Sequence, residues 1–278
     1  MHPELKRIFD LSIEALKADP RVIAGLNFGS AGREHEDELS DVDPAFFVRD
    51  DDFDSLDRDL RSIFESVCPP IVLWWPEVGN NDRIRNYAIF FQSAGALLQY
   101  DVNIIKASEV SGNSGRWIIG QSRPEDILFD KAGILEEAVR NTVLPPYSPE
   151  RLLWHIERFW IYAYIHVKYL KRAHKLKLAF AQEMLRNAHL EILRALYPDV
   201  WWGWWPDAAK RFYSSEHEEA LLWYFGHADA GSVAGKLPRQ MDAFSRDARA
   251  ACERCGLDYP AEFEQHVRRH FEQHTALD

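Results

Sequence analysis

The chain has 278 residues, 46% hydrophobic and 28% charged, which excludes intrinsic disorder and is long enough for one large domain or two ordinary ones. Its formal net charge of −11 repels phosphate backbones, so a nucleic-acid substrate is not expected and a cationic partner is favoured. No stretch approaches the roughly 20 apolar residues that span a bilayer, and three cysteines do not make a disulfide framework.

Residues 1–20 read as an amphipathic helix and not as a signal peptide, so the cytoplasm is the expected compartment. Leu5, Ile8, Phe9, Ile13 and Leu16 fall near one helical face, and the helix stops before Pro20. Val22 to Phe28 then reads as a short buried strand, and Asp43 to Val48 as a second. Phe53, Leu56, Leu60, Ile63 and Phe64 keep helical spacing, and strand-like runs follow at Ile71–Trp75, Tyr87–Phe91 and Leu97–Ile105. A mixed sheet with helices is the expected architecture of this half.

The pattern changes near residue 145. Ser148-Pro149-Glu150 is a helix start, with a Ser N-cap, Pro at the first helical position and an acid in the first turn. From Arg151 onward no strand pattern appears; helices are expected at about 151–173 and 177–196, and again from about 207. The class is therefore α+β, with an α/β-patterned domain over 1–145 and an all-helical domain over 146–278.

The chemistry concentrates between Leu26 and Val48. A buried strand ends in Gly29-Ser30, and Asp41-Val42-Asp43 follows eleven positions after Ser30, leading into another apolar strand. Alternation puts Asp41 and Asp43 on one side and Val42 in the core. Two adjacent carboxylates repel unless a cation lies between them, and Mg²⁺ takes one or two carboxylates together with substrate phosphates. Gly29 permits close backbone approach to phosphate, and Ser30 adds a hydroxyl and an N–H. On a later strand Tyr100, Val102 and Ile104 share one face while Asp101 and Asn103 share the other, and an acid in so apolar a strand implies a partner.

Strand, Gly-Ser, spacer, Asp-x-Asp, strand and later strand acid together resemble the nucleotidyltransferase superfamily, the fold of DNA polymerase β. Within it the chain looks most like the aminoglycoside 6-adenylyltransferases. The likeness includes Leu128-Phe129-Asp130-Lys131, placed after the last strand, Phe159-Trp160 with Lys168 and Arg172 downstream, and Tyr259-Pro260 with Phe263. The resemblance implies a nucleotidyltransferase domain that holds MgATP and a helical domain that completes an acceptor cleft. It implies two Mg²⁺ ions on Asp41, Asp43 and Asp101, with Asp101 also the nearest group to take the acceptor's proton. Nucleotide contacts are expected from Gly29, Ser30, Arg33 and Lys168. The expected acceptor is a small cationic hydroxyl compound, a streptomycin-like aminoglycoside, with ATP as donor. Where the family commonly carries Arg directly after Gly-Ser this chain has Ala31, with Arg33 two positions on, and Pro44 replaces a β-branched residue after Asp43. The same chemistry on a lincosamide, another small molecule or a protein side chain stays open, as does a non-catalytic nucleotide-binding role.

Other signals favour structure. Cys252, Cys255, His266 and His270 approach zinc-finger spacing but lie in helical patterns, so packing is expected over a zinc site. The Trp201–Trp205 run, bracketed by Pro198 and Pro206, reads as an inter-helix connection. His155, His166, His174 and His189 are expected to pack or face solvent.

Overall fold

The computed structural model describes residues 1–28, 37–68, 70–93, 95–112, 115, 118–120, 122–141, 147–200 and 204–275. Two compact units divide the chain, Met1–Val143 and Leu144–Asp278. The class is mixed α+β, as the alternating patterns imply.

In the first unit, helix α1 spans Pro3–Ala18. The His2 ring accepts the Glu4 N–H and Pro3 takes the first turn, where its missing N–H costs nothing. Pro20 disfavours helix at Asp19, which is extended. Strands β1 (Val22–Asn27) and β2 (Pro44–Val48) precede helix α2 (Phe53–Val67). Then come β3 (Ile71–Pro76), β4 (Ile84–Ser93), β5 (Ala96–Lys106), β6 (Ile127–Asp130) and helix α3 (Ile134–Asn141). The sheet order is β3-β4-β5-β2-β1-β6. The pair β2–β5 is parallel and the remaining pairs are antiparallel.

One face of the sheet carries α1 and α2. Leu5, Ile8, Leu16, Leu56, Leu60 and Phe64 bury against Phe46, Tyr100, Val102 and Ile104. On the other face Ala24, Leu26, Ala45, Phe47 and Ile105 pack with Leu135 of α3. Ile13, expected in the first helix's apolar face, is only partly buried, and Ser12 takes the inner position by bonding the Tyr100 hydroxyl. Arg85 of β4 reaches across to Asp54 and Asp57 of α2, and the Tyr87 hydroxyl donates to Asp57, so polar bonds fasten α2 at its solvent edge.

One expectation is corrected. The stretch Leu128–Lys131 does not follow the last strand; it lies in and just after β6, which is itself the last strand and pairs with β1. Its polar residues serve the fold. The Asp130 carboxylate accepts the backbone N–H groups of Ile134 and Leu135, capping α3, and Lys131 Nζ donates to the carbonyls of Asp19 and Val22.

In the second unit, helices α4 (Pro149–Lys171) and α5 (Lys175–Leu196) are joined by a short turn, with Ala173 at φ 46°. Then follow α6 (Trp205–Phe212), α7 (Ser215–Leu222), α8 (Ala230–Cys255) and α9 (Ala261–Thr275). The Ser148 hydroxyl caps α4 by accepting the Arg151 N–H, and the His174 ring caps α5. In the core the ring of Phe159 lies flat on Phe244, 3.5 Å between centroids, and Trp160 Nε1 donates to the Tyr259 hydroxyl at 2.8 Å. Cys252 is buried in this core while His266 is exposed, and among the described residues these cysteines and histidines form no metal-holding group. Trp201 and Trp202 lie outside the described residues; Trp205 packs at the start of α6, parallel to Phe225.

Two buried polar networks cross this core. The Tyr162 carbonyl can only accept, so His166 carries its proton on Nδ1, and Nε2 accepts from Gln182, which is paired with Gln240. His189 is held between the Tyr224 hydroxyl and Asp247, and Asp247 also accepts from His217 and Arg246. Burial pushes the His166 pKa down to about 4 from its ordinary 6.5. The unfolded chain therefore binds a proton between those values that the folded chain refuses, so stability falls as pH drops through this window. We expect His166 to contribute a loss of about 2 kcal/mol between pH 7 and pH 5. Urea unfolding at the two pH values checks this: His166→Gln should flatten the pH dependence by about that amount, and an unchanged slope would refute the assignment.

Candidate active site

The carboxylates meet because of how β2 begins. Asp37 closes a turn in which its side chain accepts the Leu39 N–H and its carbonyl accepts the Ser40 N–H, delivering the chain to Asp41. Val42 and Asp43 are extended but precede the strand, which starts at Pro44 and not at Asp43. Pro44 has no N–H for the ladder and belongs at a strand's first position. The pairing nonetheless runs on past it. Asp101 N–H donates to the Val42 carbonyl at 2.9 Å, and Phe28 N–H donates to the Asp43 carbonyl at 3.3 Å. Val42 is fully buried under the sheet, so Asp41 and Asp43 project on the opposite side.

The parallel register of β2 and β5 sets Ala45 beside Asn103, which brings Asp43 alongside Asp101. One carboxylate oxygen from each of Asp41, Asp43 and Asp101 lies within 4.8 Å of the others. Oxygens on a single Mg²⁺ lie about 2.9–4.2 Å apart, so a small side-chain rotation brings this set to ligand spacing. Asp101 Oδ2 accepts from Gln99 Nε2 at 2.9 Å, while Oδ1 is buried and meets no hydrogen-bond partner among the described residues. Asn103 is 1% exposed on the same face, its Oδ1 bonded to Asn86 and its Nδ2 without a partner among the described residues. A buried carboxylate oxygen left bare costs free energy unless something cationic meets it. The donor set therefore fits a hard divalent cation.

The electrostatics agree. Burial pushes the Asp101 pKa up to about 6, with the Asp41 and Glu77 charges adding to the rise and Gln99 opposing it. Burial likewise raises Asp41. Burial thus disfavours the ionisation of Asp41 and Asp101.

Of the other residues singled out in the sequence, Gly29, Ser30 and Arg33 lie outside the described residues. Lys168 stands exposed on α4 in the second unit, its Nζ 5.4 Å from the centre of the Tyr169 ring, with Lys177 at 5.5 Å from the same ring. Gln99 was missed. Its signal was available, because a polar residue two positions before Asp101 in a strand shares its face.

No known family model matches the chain, and no curated protein matches it. Among solved structures, the crystal structure of an aminoglycoside 6-adenyltransferase from Bacillus subtilis is similar over 99% of this chain and 98% of its own, with 17% identity and a TM-score of 0.43.

Crowded acids make a stability prediction with a definite sign. A carboxyl whose folded pKa is raised destabilises the fold above its unfolded value. In EDTA at pH 7, Asp101→Asn should therefore be more stable than the parent by on the order of 1 kcal/mol. With millimolar Mg²⁺ the order should reverse, because only the parent gains from binding. Thermal unfolding with and without Mg²⁺ reads both; the same rank order in both conditions would count against a metal site.

Proposed function

We propose that this chain is a magnesium-dependent nucleotidyltransferase that moves a nucleoside monophosphate, with ATP as the expected donor, onto a hydroxyl of a small acceptor. The observation that carries the reading is the convergence of Asp41, Asp43 and Asp101, with one buried Asp101 oxygen that meets no hydrogen-bond partner among the described residues. The ordered sequence motif, with Gly29 and Ser30 as the phosphate turn and Arg33 beside it, supports the nucleotide as substrate.

Asp41, Asp43 and Asp101 would hold the metal, which supplies Lewis-acid neutralisation of the triphosphate and of the attacking oxygen. Asp101, oriented by Gln99, takes the proton of the acceptor hydroxyl. The acceptor oxygen then bonds to the α-phosphorus, and the bond from that phosphorus to the β-bridging oxygen breaks. Pyrophosphate leaves with the electron pair. The rigid β2–β5 ladder keeps the acids in place, so catalysis is positioning and charge neutralisation.

The acceptor expected from the resemblance is a cationic hydroxyl compound, with a streptomycin-like aminoglycoside as the first case. The −11 net charge supports a cation. In the helical unit Glu183, Glu191, Glu216, Glu218 and Glu219 are the acids expected to meet it, of which Glu191, Glu216 and Glu218 are engaged with Arg151, Arg246 and Lys210.

Pyrophosphate release measured with each NTP, Mg²⁺ and an acceptor panel tests the reading. Asp43→Ala should lower turnover by at least about 10³-fold without unfolding the protein, as expected for loss of a metal ligand. Near-normal turnover in that variant would sink the assignment, and absence of any turnover with intact MgATP binding would favour a non-catalytic nucleotide-binding role. Lys168 is proposed to contact the triphosphate. Lys168→Ala should then raise the nucleotide KM well above the effect of Lys177→Ala; equal effects would make both lysines a solvated face.

A further inference from the structure

Beside the acids lies a cavity of about 400 Å³, lined in part by Asp41 and Gln99. On β5, Leu97, Gln99 and Asp101 fall on one face by strand alternation. The antiparallel register sets Phe90 of β4 opposite Gln99, so Phe90 joins that face. The row thus runs from the carboxylate through an amide to an apolar end, about 13 Å from Asp101 to Leu97 at strand spacing. Leu97 is 64% exposed and Leu39, across the cavity, is 87% exposed. Large apolar side chains held in water next to a carboxylate cluster mark a surface that something apolar covers. Glu38 and Asp41 add negative charge at the same cavity.

We propose that this cavity seats the acceptor, and that the acceptor is a hydroxylated amine with an apolar arm. Its hydroxyl lies at the end of the cavity where Gln99 meets Asp101, its cationic group meets Glu38, and its apolar arm runs over Phe90 and Gln99 to Leu97 and Leu39. This rests on the transferase reading and narrows it: a uniformly polar polyamine sugar leaves the apolar half of the cavity unfilled. Leu97 is then a specificity residue.

Calorimetry with Mg²⁺ and a non-hydrolysable ATP analogue tests it, using 2-amino-1-octanol and 2-amino-1-butanol below their self-association concentrations, with streptomycin in parallel. Affinity should rise about fourfold per added methylene as the arm is buried. Leu97→Asp should remove at least about tenfold of the octanol's affinity and leave binding of the ATP analogue unchanged, while Leu97→Met restores it. Val72→Asp, exposed on β3 away from the cavity, should have no effect and so controls for non-specific apolar association. Equal affinity for the two amino alcohols, or indifference to Leu97→Asp, overturns the proposal, as does tight streptomycin binding that ignores Leu97→Asp. In each of those outcomes intact binding of the ATP analogue leaves the transferase reading standing. Failure of Mg²⁺-dependent analogue binding overturns that reading, and this proposal with it.

Discussion

Asp101 donates its backbone N–H to the carbonyl of Val42, and the parallel ladder between β2 and β5 continues from there through Ala45 and Asn103. Every feature of the acidic cluster follows from that register. A slip of one residue would turn Asp101 towards α1 and α2 and leave Tyr100 among the acids. The register is fixed from both sides of the sheet. Tyr100, Val102 and Ile104 must bury under the helices, and Ile105 must bury against the face that carries Leu135. Hydrophobic burial on the two faces therefore determines where three negative charges come together.

That clustering opposes folding. Three half-buried carboxylates lie within 4.8 Å, one with an oxygen that meets no hydrogen-bond partner among the described residues, and burial raises the pKa values of Asp41 and Asp101. A fold tolerates such a site when the surrounding packing over-determines it and when function supplies the missing positive charge. The packing here is dense on both faces, and polar bonds from Arg85 and Tyr87 to α2 hold β4 firmly beside β5. The contrast with the second unit is instructive. There two buried polar networks are closed, His166, Gln182 and Gln240 forming one and His189, Tyr224 and Asp247 the other. Desolvation alone would raise Asp247, but donors from His189, His217 and Arg246 hold it well below the carboxylate range. Satisfied networks fasten helices; the unsatisfied one looks outward for a ligand.

The apolar half of the cavity changes how the site is read. Charge alone favours a polycation, whereas Leu97, Phe90 and Leu39 favour a molecule with a hydrocarbon arm. Specificity in such a pocket comes from both parts, since a polar acceptor leaves apolar surface wet and a purely apolar one leaves carboxylates unmet.

Period-two and period-3.6 patterns by themselves determined the main elements. The strand over 22–28 was legible as a short apolar run, the strand over 97–105 by its alternation of Tyr100, Val102 and Ile104 with polar residues, and the helix opened by Ser148 by its cap and period. The alternation of Tyr100 with Asp101, and of Val42 with its flanking acids, likewise showed which side each carboxylate takes. The sequence also carried the possibility of Gln99, two residues from Asp101, although nothing local marks which glutamine will meet an acid. Three things were decided only in three dimensions. Leu128–Lys131 became an edge strand with a helix cap because β1 offered an unpaired edge, which no local pattern announces. The side-chain partners of His166 and His189 lie 16 to 58 residues away, and such distances leave no periodic trace. The cavity gathers the 38–41 turn with the β4–β5 hairpin, and only the β2–β5 register brings those segments side by side.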